Sequence, residues 1–136
     1  MIREIVHDPI LLARPAAPAA AQDVSVADDL LDTLRANAER CVGMAANMIG
    51  ANKAIIVFAD AGKYQEMFNP VILAKEGKYE AEEGCLSLSG VRKAVRYRTI
   101  RVQWQNRSFQ TRVKKFTGWT AQIIQHELDH CAGILI

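Results

Sequence analysis

The sequence predicts an α+β domain in which mostly antiparallel strands gather around a helix at the C-terminal end of the chain. Three observations predict it. Apolar residues recur at three- and four-residue steps over 26–40, several β-rich runs separated by turn residues lie between 54 and 116, and a capped helical segment follows the last of them at 118–132. Taken in order, residues 10–22 are Ala-rich and broken by Pro15 and Pro18, so they read as an extended lead-in. Asp23 or Ser25 is the cap of the first helix, whose Ala27, Leu30, Leu31, Leu34 and Ala38 share one face. Asp28, Asp29 and Asp32 fall in its first turns, where the helix dipole favours them.

The small apolar segment 41–50 reads as a loop or an edge strand where another backbone comes close. Residues 54–59 are a buried strand and 66–73 another, interrupted by Asn69-Pro70. In 98–105, Ile100, Val102 and Trp104 lie on one side. Asn106-Arg107 then reads as a hairpin turn into 108–116, where Phe109, Thr111 and Val113 alternate with polar residues. Thr117 caps the last helix and Gly133 stops it.

A chain of 136 residues that is 50% hydrophobic and 24% charged is one globular domain, residues 1–136, and not a disordered or fibrous protein. Three cysteines, at 41, 85 and 131, are an odd number, which argues against a disulfide framework and for a reducing compartment. The first residues hold no continuous apolar segment of the signal-peptide kind, and no apolar run is long enough for a membrane helix, so a cytoplasmic location without membrane contact is expected. The net charge of +2 hides an asymmetry: nine basic side chains and no acidic one lie between Arg92 and Lys115. Such a stretch suits nucleic acid or a carboxylate-bearing substrate, or is simply two strands facing water.

The residues that carry chemistry are Gln125-His126-Glu127-Leu128-Asp129-His130. Two histidines four apart project from one helix face and can chelate one metal ion, while Glu127 beside them can act on a water. No carboxylate or imidazole follows His130, so a third ligand has to come from upstream. Cys85, after the flexible Gly84, is the stronger candidate and Cys41 its competitor; Cys131 reads as a packing thiol. One thiolate and two imidazoles leave a tetrahedral ion with an open position, the pattern of a catalytic site.

Gly43–Ile49, Glu83-Gly84-Cys85-Leu86-Ser87 and Gln125–His130, in this order, resemble the peptide deformylase family over essentially the whole chain. The resemblance implies a deformylase-like fold and hydrolysis of the N-formyl group from the formyl-methionine of nascent polypeptides. Iron(II) is the usual metal, with zinc, nickel or cobalt as substitutes. By position it makes Cys85, His126 and His130 the metal ligands, Glu127 the general base and acid, and the Leu86 N–H an oxyanion donor. It also makes Arg96 the partner of Glu83, and Val42, Gly43, Met44, Arg92, Trp119 and Ile123, with Glu83, the substrate-binding set. Action on nascent chains makes ribosome proximity through the basic residues 92–115 compatible with the enzyme.

The first motif departs from the family. Cys41 stands where the family has its first Gly, and Met48 where it has the Gln whose amide is the second oxyanion donor. A thioether cannot donate a hydrogen bond, so lowered turnover is expected unless Asn47 or Gln122 supplies an amide. The alternative is a deformylase-like protein that keeps the metal site but turns over weakly or not at all and acts as a binding or regulatory module.

Overall fold

Residues 1–136 are described by a computed structural model. Five strands, β1 (Gly43–Ala45), β2 (Ile55–Asp60), β3 (Lys63–Gly84), β4 (Val91–Gln105) and β5 (Thr111–Thr117), form one sheet in chain order. Every neighbouring pair is antiparallel. The helices are α1 (Pro9–Leu12), α2 (Val24–Ala36) and α3 (Gly118–Cys131).

The apolar run of β2 is continuous because both its faces are covered. Ile55 and Val57 pack with Leu30 and Leu34 of α2, while Ile56 and Phe58 pack with Ala121 and Ile124 of α3. Burying these side chains on both faces stabilises by about 1.5–3 kcal/mol for each large one. The same sandwich fixes α3 across the sheet, and α3 carries the two histidines.

The structure departs from the expected boundaries in several places. The first helix runs Val24–Ala36 instead of 26–40. It continues directly from a short 3-10 turn, Ala21–Asp23, in which Asp23 accepts from Ala20 N at 2.8 Å. It stops early because the Asn37 side chain donates to Thr33 O at 2.8 Å, taking a carbonyl of the last turn. The lead-in also contains the one-turn helix α1, capped by Asp8, which accepts from Ile10 N at 2.9 Å.

The pair Asn69-Pro70 does not interrupt β3. Asn69 takes a φ of 51° beside register shifts at Phe68/Val71 and Ile72/Ala74, so the strand absorbs the proline as a bulge. β3 then runs on to Gly84 along β4, through an exposed, charge-rich stretch that shows no apolar pattern. The turn before β5 is also longer than two residues. Asn106 accepts through its side chain from Ser108 N and Gln110 N, both at 3.0 Å, and Phe109 turns back at φ 59° to meet the Phe68 ring at 5.1 Å. The last helix ends as expected, with Gly133 at φ 77°. No helix is long and apolar enough to cross a membrane.

Candidate metal centre

α3 is helical through Gln125–His130, so His126 and His130 sit one above the other with their Nε2 atoms 3.2 Å apart. The turn after β3 brings Cys85 Sγ to 3.3 Å from His130 Nε2. The three donor atoms lie within 4.8 Å of one another, and Cys41 is not among them. Cys41 instead points its thiol at Gly43 O, 2.8 Å away, and burial together with the nearby Glu127 charge pushes it up to about 12.

The donor set fits a divalent cation. His126 Nδ1 lies 2.8 Å from Glu83 Oε1, a contact that places its proton on Nδ1 and frees the Nε2 lone pair. Burial, then His126, holds His130 down to about 3, which keeps that ring neutral as a ligand must be. His126 is pushed the other way, to about 10: burial would lower it, but Cys85, Glu83 and Glu127 outweigh burial. A pocket this rich in anions attracts a positive charge, and a metal ion answers that demand better than a proton, since three lone-pair donors converge there.

The surrounding bonds lock the centre. Arg96 donates to Glu83 at 2.6 and 2.9 Å and to Asp129 at 2.7 Å, tying β3, β4 and α3 together. Burial alone would raise the Glu83 carboxyl, yet the bonds from His126 and Arg96 hold it at about 2. Glu127 lies fully inside; burial pushes it up to about 7, and its Oε1 has no partner in the protein. The Leu86 N–H likewise donates to no backbone carbonyl.

A cavity of about 840 Å³ opens on the centre. Val42, Gly43, Glu83, Trp119 and Ile123 line it, as do Cys85, Leu86, His126 and Glu127. Two expected substrate-binding residues are not brought to it. Met44 is 0% exposed and packs in the α2-side core, because strand alternation turns it away from the cleft. Arg92 pairs across the hairpin with Glu83 in backbone register, but its side chain faces solvent. Met48 lines the cavity from within that core. Of the two candidate amides, Asn47 is turned away, donating to His130 O at 2.9 Å, while Gln122 lines the cavity with its amide nitrogen bonded to Glu83 at 3.0 Å. Sequence reasoning missed His7, which lines the cleft with Nδ1 3.0 Å from Ser87 O, and the roles of Tyr79 and Asp129 as bond partners. Asp129 lies three residues beyond His126 on α3, a spacing that marks it as a neighbour.

A cysteine sulfur and two imidazoles at the floor of an open cleft, with a buried carboxyl next to them, define a metal-dependent hydrolase. Comparison with known proteins narrows the class. The chain belongs to the polypeptide deformylase family, whose profile matches residues 2–136. It is 54% identical over 136 residues to a peptide deformylase of Clostridium beijerinckii, covering 100% of both chains. With a peptide deformylase of Halothermothrix orenii the identity is 38%, over 96% of this chain and 86% of that one. Among solved structures, a class I type b peptide deformylase from Acinetobacter baumannii with Met-Ala-Ser bound superposes with a TM-score of 0.89 at 26% identity, over 99% of this chain and 97% of that one. The enzyme from Thermotoga maritima gives 0.89 at 27%, over 99% and 95%. The chain is a metallo-hydrolase that removes the N-formyl group from nascent polypeptides.

Proposed function

We propose that Cys85, His126 and His130 hold one iron(II) ion, replaceable by zinc, nickel or cobalt, and that Glu127 moves the proton of the reaction in the cytoplasm. The observation that carries this reading is the convergence of three lone-pair donors within 4.8 Å beside a carboxyl poised at about 7. A divalent ion on such donors supplies Lewis acidity toward water and toward a carbonyl oxygen. Glu127 takes the proton from the attacking water and passes it to the departing amine, so that formate and the free α-amine of methionine leave. The Leu86 N–H donates to the formyl oxygen as charge develops there. β1 stands at the sheet edge with no strand on its outer side, and Val42 and Gly43 offer that edge to a peptide backbone. Val42, Trp119 and Ile123 give the methionine side chain an apolar wall.

Met48 sets the efficiency. With no amide at this position, one oxyanion donor is missing, and such a loss typically costs about 10²–10³ in turnover. Hydrolysis of a formyl-Met peptide by the metal-loaded protein is expected to rise in Met48→Gln. Turnover in neither form, with metal bound, sinks the hydrolytic roles assigned here and leaves the binding module. Equal turnover in both removes the role given to position 48.

A further inference from the structure

We propose that Gln122 and Tyr79 are positioning residues for the ligand His126, acting through Glu83. The inference rests on the metal reading of Cys85, His126 and His130. Glu83 receives four hydrogen bonds, two on each oxygen. Oε1 takes Arg96 Nη2 at 2.6 Å and His126 Nδ1 at 2.8 Å. Oε2 takes Arg96 Nε at 2.9 Å and Gln122 Nε2 at 3.0 Å.

The direction of every proton in this chain follows from chemistry. An ionised carboxylate only accepts, so the end of the Gln122 amide that faces Glu83 is the NH₂. Its oxygen then faces Tyr79, whose hydroxyl lies 2.9 Å away and has to donate. Glu83 sets which way the amide is turned, and the Tyr79 hydroxyl holds it there by donating to the amide oxygen. Turned the other way, the amide oxygen would meet the carboxylate and repel it.

Arg96 does not make this redundant. Its remaining arm is held by Asp129 at 2.7 Å, one turn past His126 on α3, so it draws Glu83 toward that turn. Gln122 holds Glu83 from the turn before His126. The carboxylate is thus held from both sides of the imidazole it orients. Tyr79 does not line the cleft, while the Arg98 guanidinium covers its ring at 5.2 Å. Tyr79 also faces Arg96 across the β3–β4 ladder, but the hydrogen-bonded route from its hydroxyl to Glu83 runs through Gln122.

The test is the affinity for cobalt(II), measured by competition with a chelator and followed by the visible absorption of the bound ion. It compares the unsubstituted protein with Tyr79→Phe, Gln122→Leu and the double variant. Loss of an outer partner of a metal ligand typically weakens binding by about 10–100-fold. Gln122→Leu is expected near the lower end of that range, about 10-fold. Tyr79→Phe should shift affinity in the same direction by less, and the double variant should match Gln122→Leu, because the hydroxyl that Phe lacks bonds to Gln122. Additive losses, or an unchanged affinity in Tyr79→Phe, overturn the proposal while the metal reading stands. Failure of the unsubstituted protein to bind cobalt(II) overturns both. Tyr79→Phe keeps the ring under Arg98 and carries the test alone if Gln122→Leu does not fold.

Discussion

At Glu127, burial does what a catalytic carboxyl needs. Removing the group from water disfavours its ionised form and raises it to about 7, where it can both accept and give a proton near neutrality. Glu127→Gln is expected to lower deformylation by about 10²–10⁴ while leaving the three metal donors intact, read as turnover beside bound-metal content. The same shift carries a stability cost whose sign follows from linkage. The folded value lies above the ordinary carboxyl value of 4.5, so the folded state prefers the protonated form. Its advantage is full below 4.5 and is lost as pH rises through about 7. Metal-free protein should therefore lose on the order of 3 kcal/mol between pH 5 and 8 from this residue, and the Gln variant should not. Denaturant unfolding of both at the two pH values decides it, and parallel losses would contradict the assignment.

Among the elements, the meeting of β1 with α3 is the tightest at the site. A Cβ on Gly43 would lie 2.8 Å from Ile123 Cγ2 and 2.9 Å from Glu127 Oε2, so only glycine lets the edge strand approach the helix that carries the carboxyl. Gly43→Ala should cost about 1–3 kcal/mol from overpacking and displace Glu127. Thermal unfolding and turnover should fall together; unchanged turnover would show that the contact does not set the Glu127 position. The long β3–β4 hairpin works at the same scale. It carries Glu83 on one strand and Arg96, four residues on from the cross-strand partner of Glu83, on the other, a pairing that the family resemblance implied and no local pattern announces.

Over the whole molecule, the basic stretch divides into two uses. Arg96 is 4% exposed inside the metal network, and Arg107 pairs with Glu66 and Asp28 at 2.8 and 2.6 Å. Arg92, Lys93, Arg98, Arg101, Arg112, Lys114 and Lys115 remain exposed on β4 and β5. If these strands bring the enzyme to the ribosome, co-sedimentation with ribosomes should weaken steeply as salt rises and weaken further in Arg112→Ala/Lys114→Ala/Lys115→Ala. Salt-independent or absent binding would leave them as two solvated strands.

Local chemistry decided much of this protein in advance. His126, Glu127 and His130 need only one helical turn to converge, and the Gly133 stop of α3 is local as well, so both were legible in the sequence, although the Thr117 side chain makes no capping hydrogen bond. The apolar strand 54–59 was legible too, because its covering on two faces leaves an unbroken hydrophobic run. What tertiary structure decided lies across long separations. Cys85 and His130 are 45 residues apart; Gly84 marked Cys85 as the stronger candidate over Cys41, but only the fold brings its sulfur to the histidines. Sheet register and packing turned Cys85 inward, sent Met44 into the core and Arg92 to solvent, and committed the Asn47 and Gln122 amides to other partners. The physical reason is common to all of them. A residue's type limits which bonds it can make, but only the packed sheet and helix determine which partner is within reach.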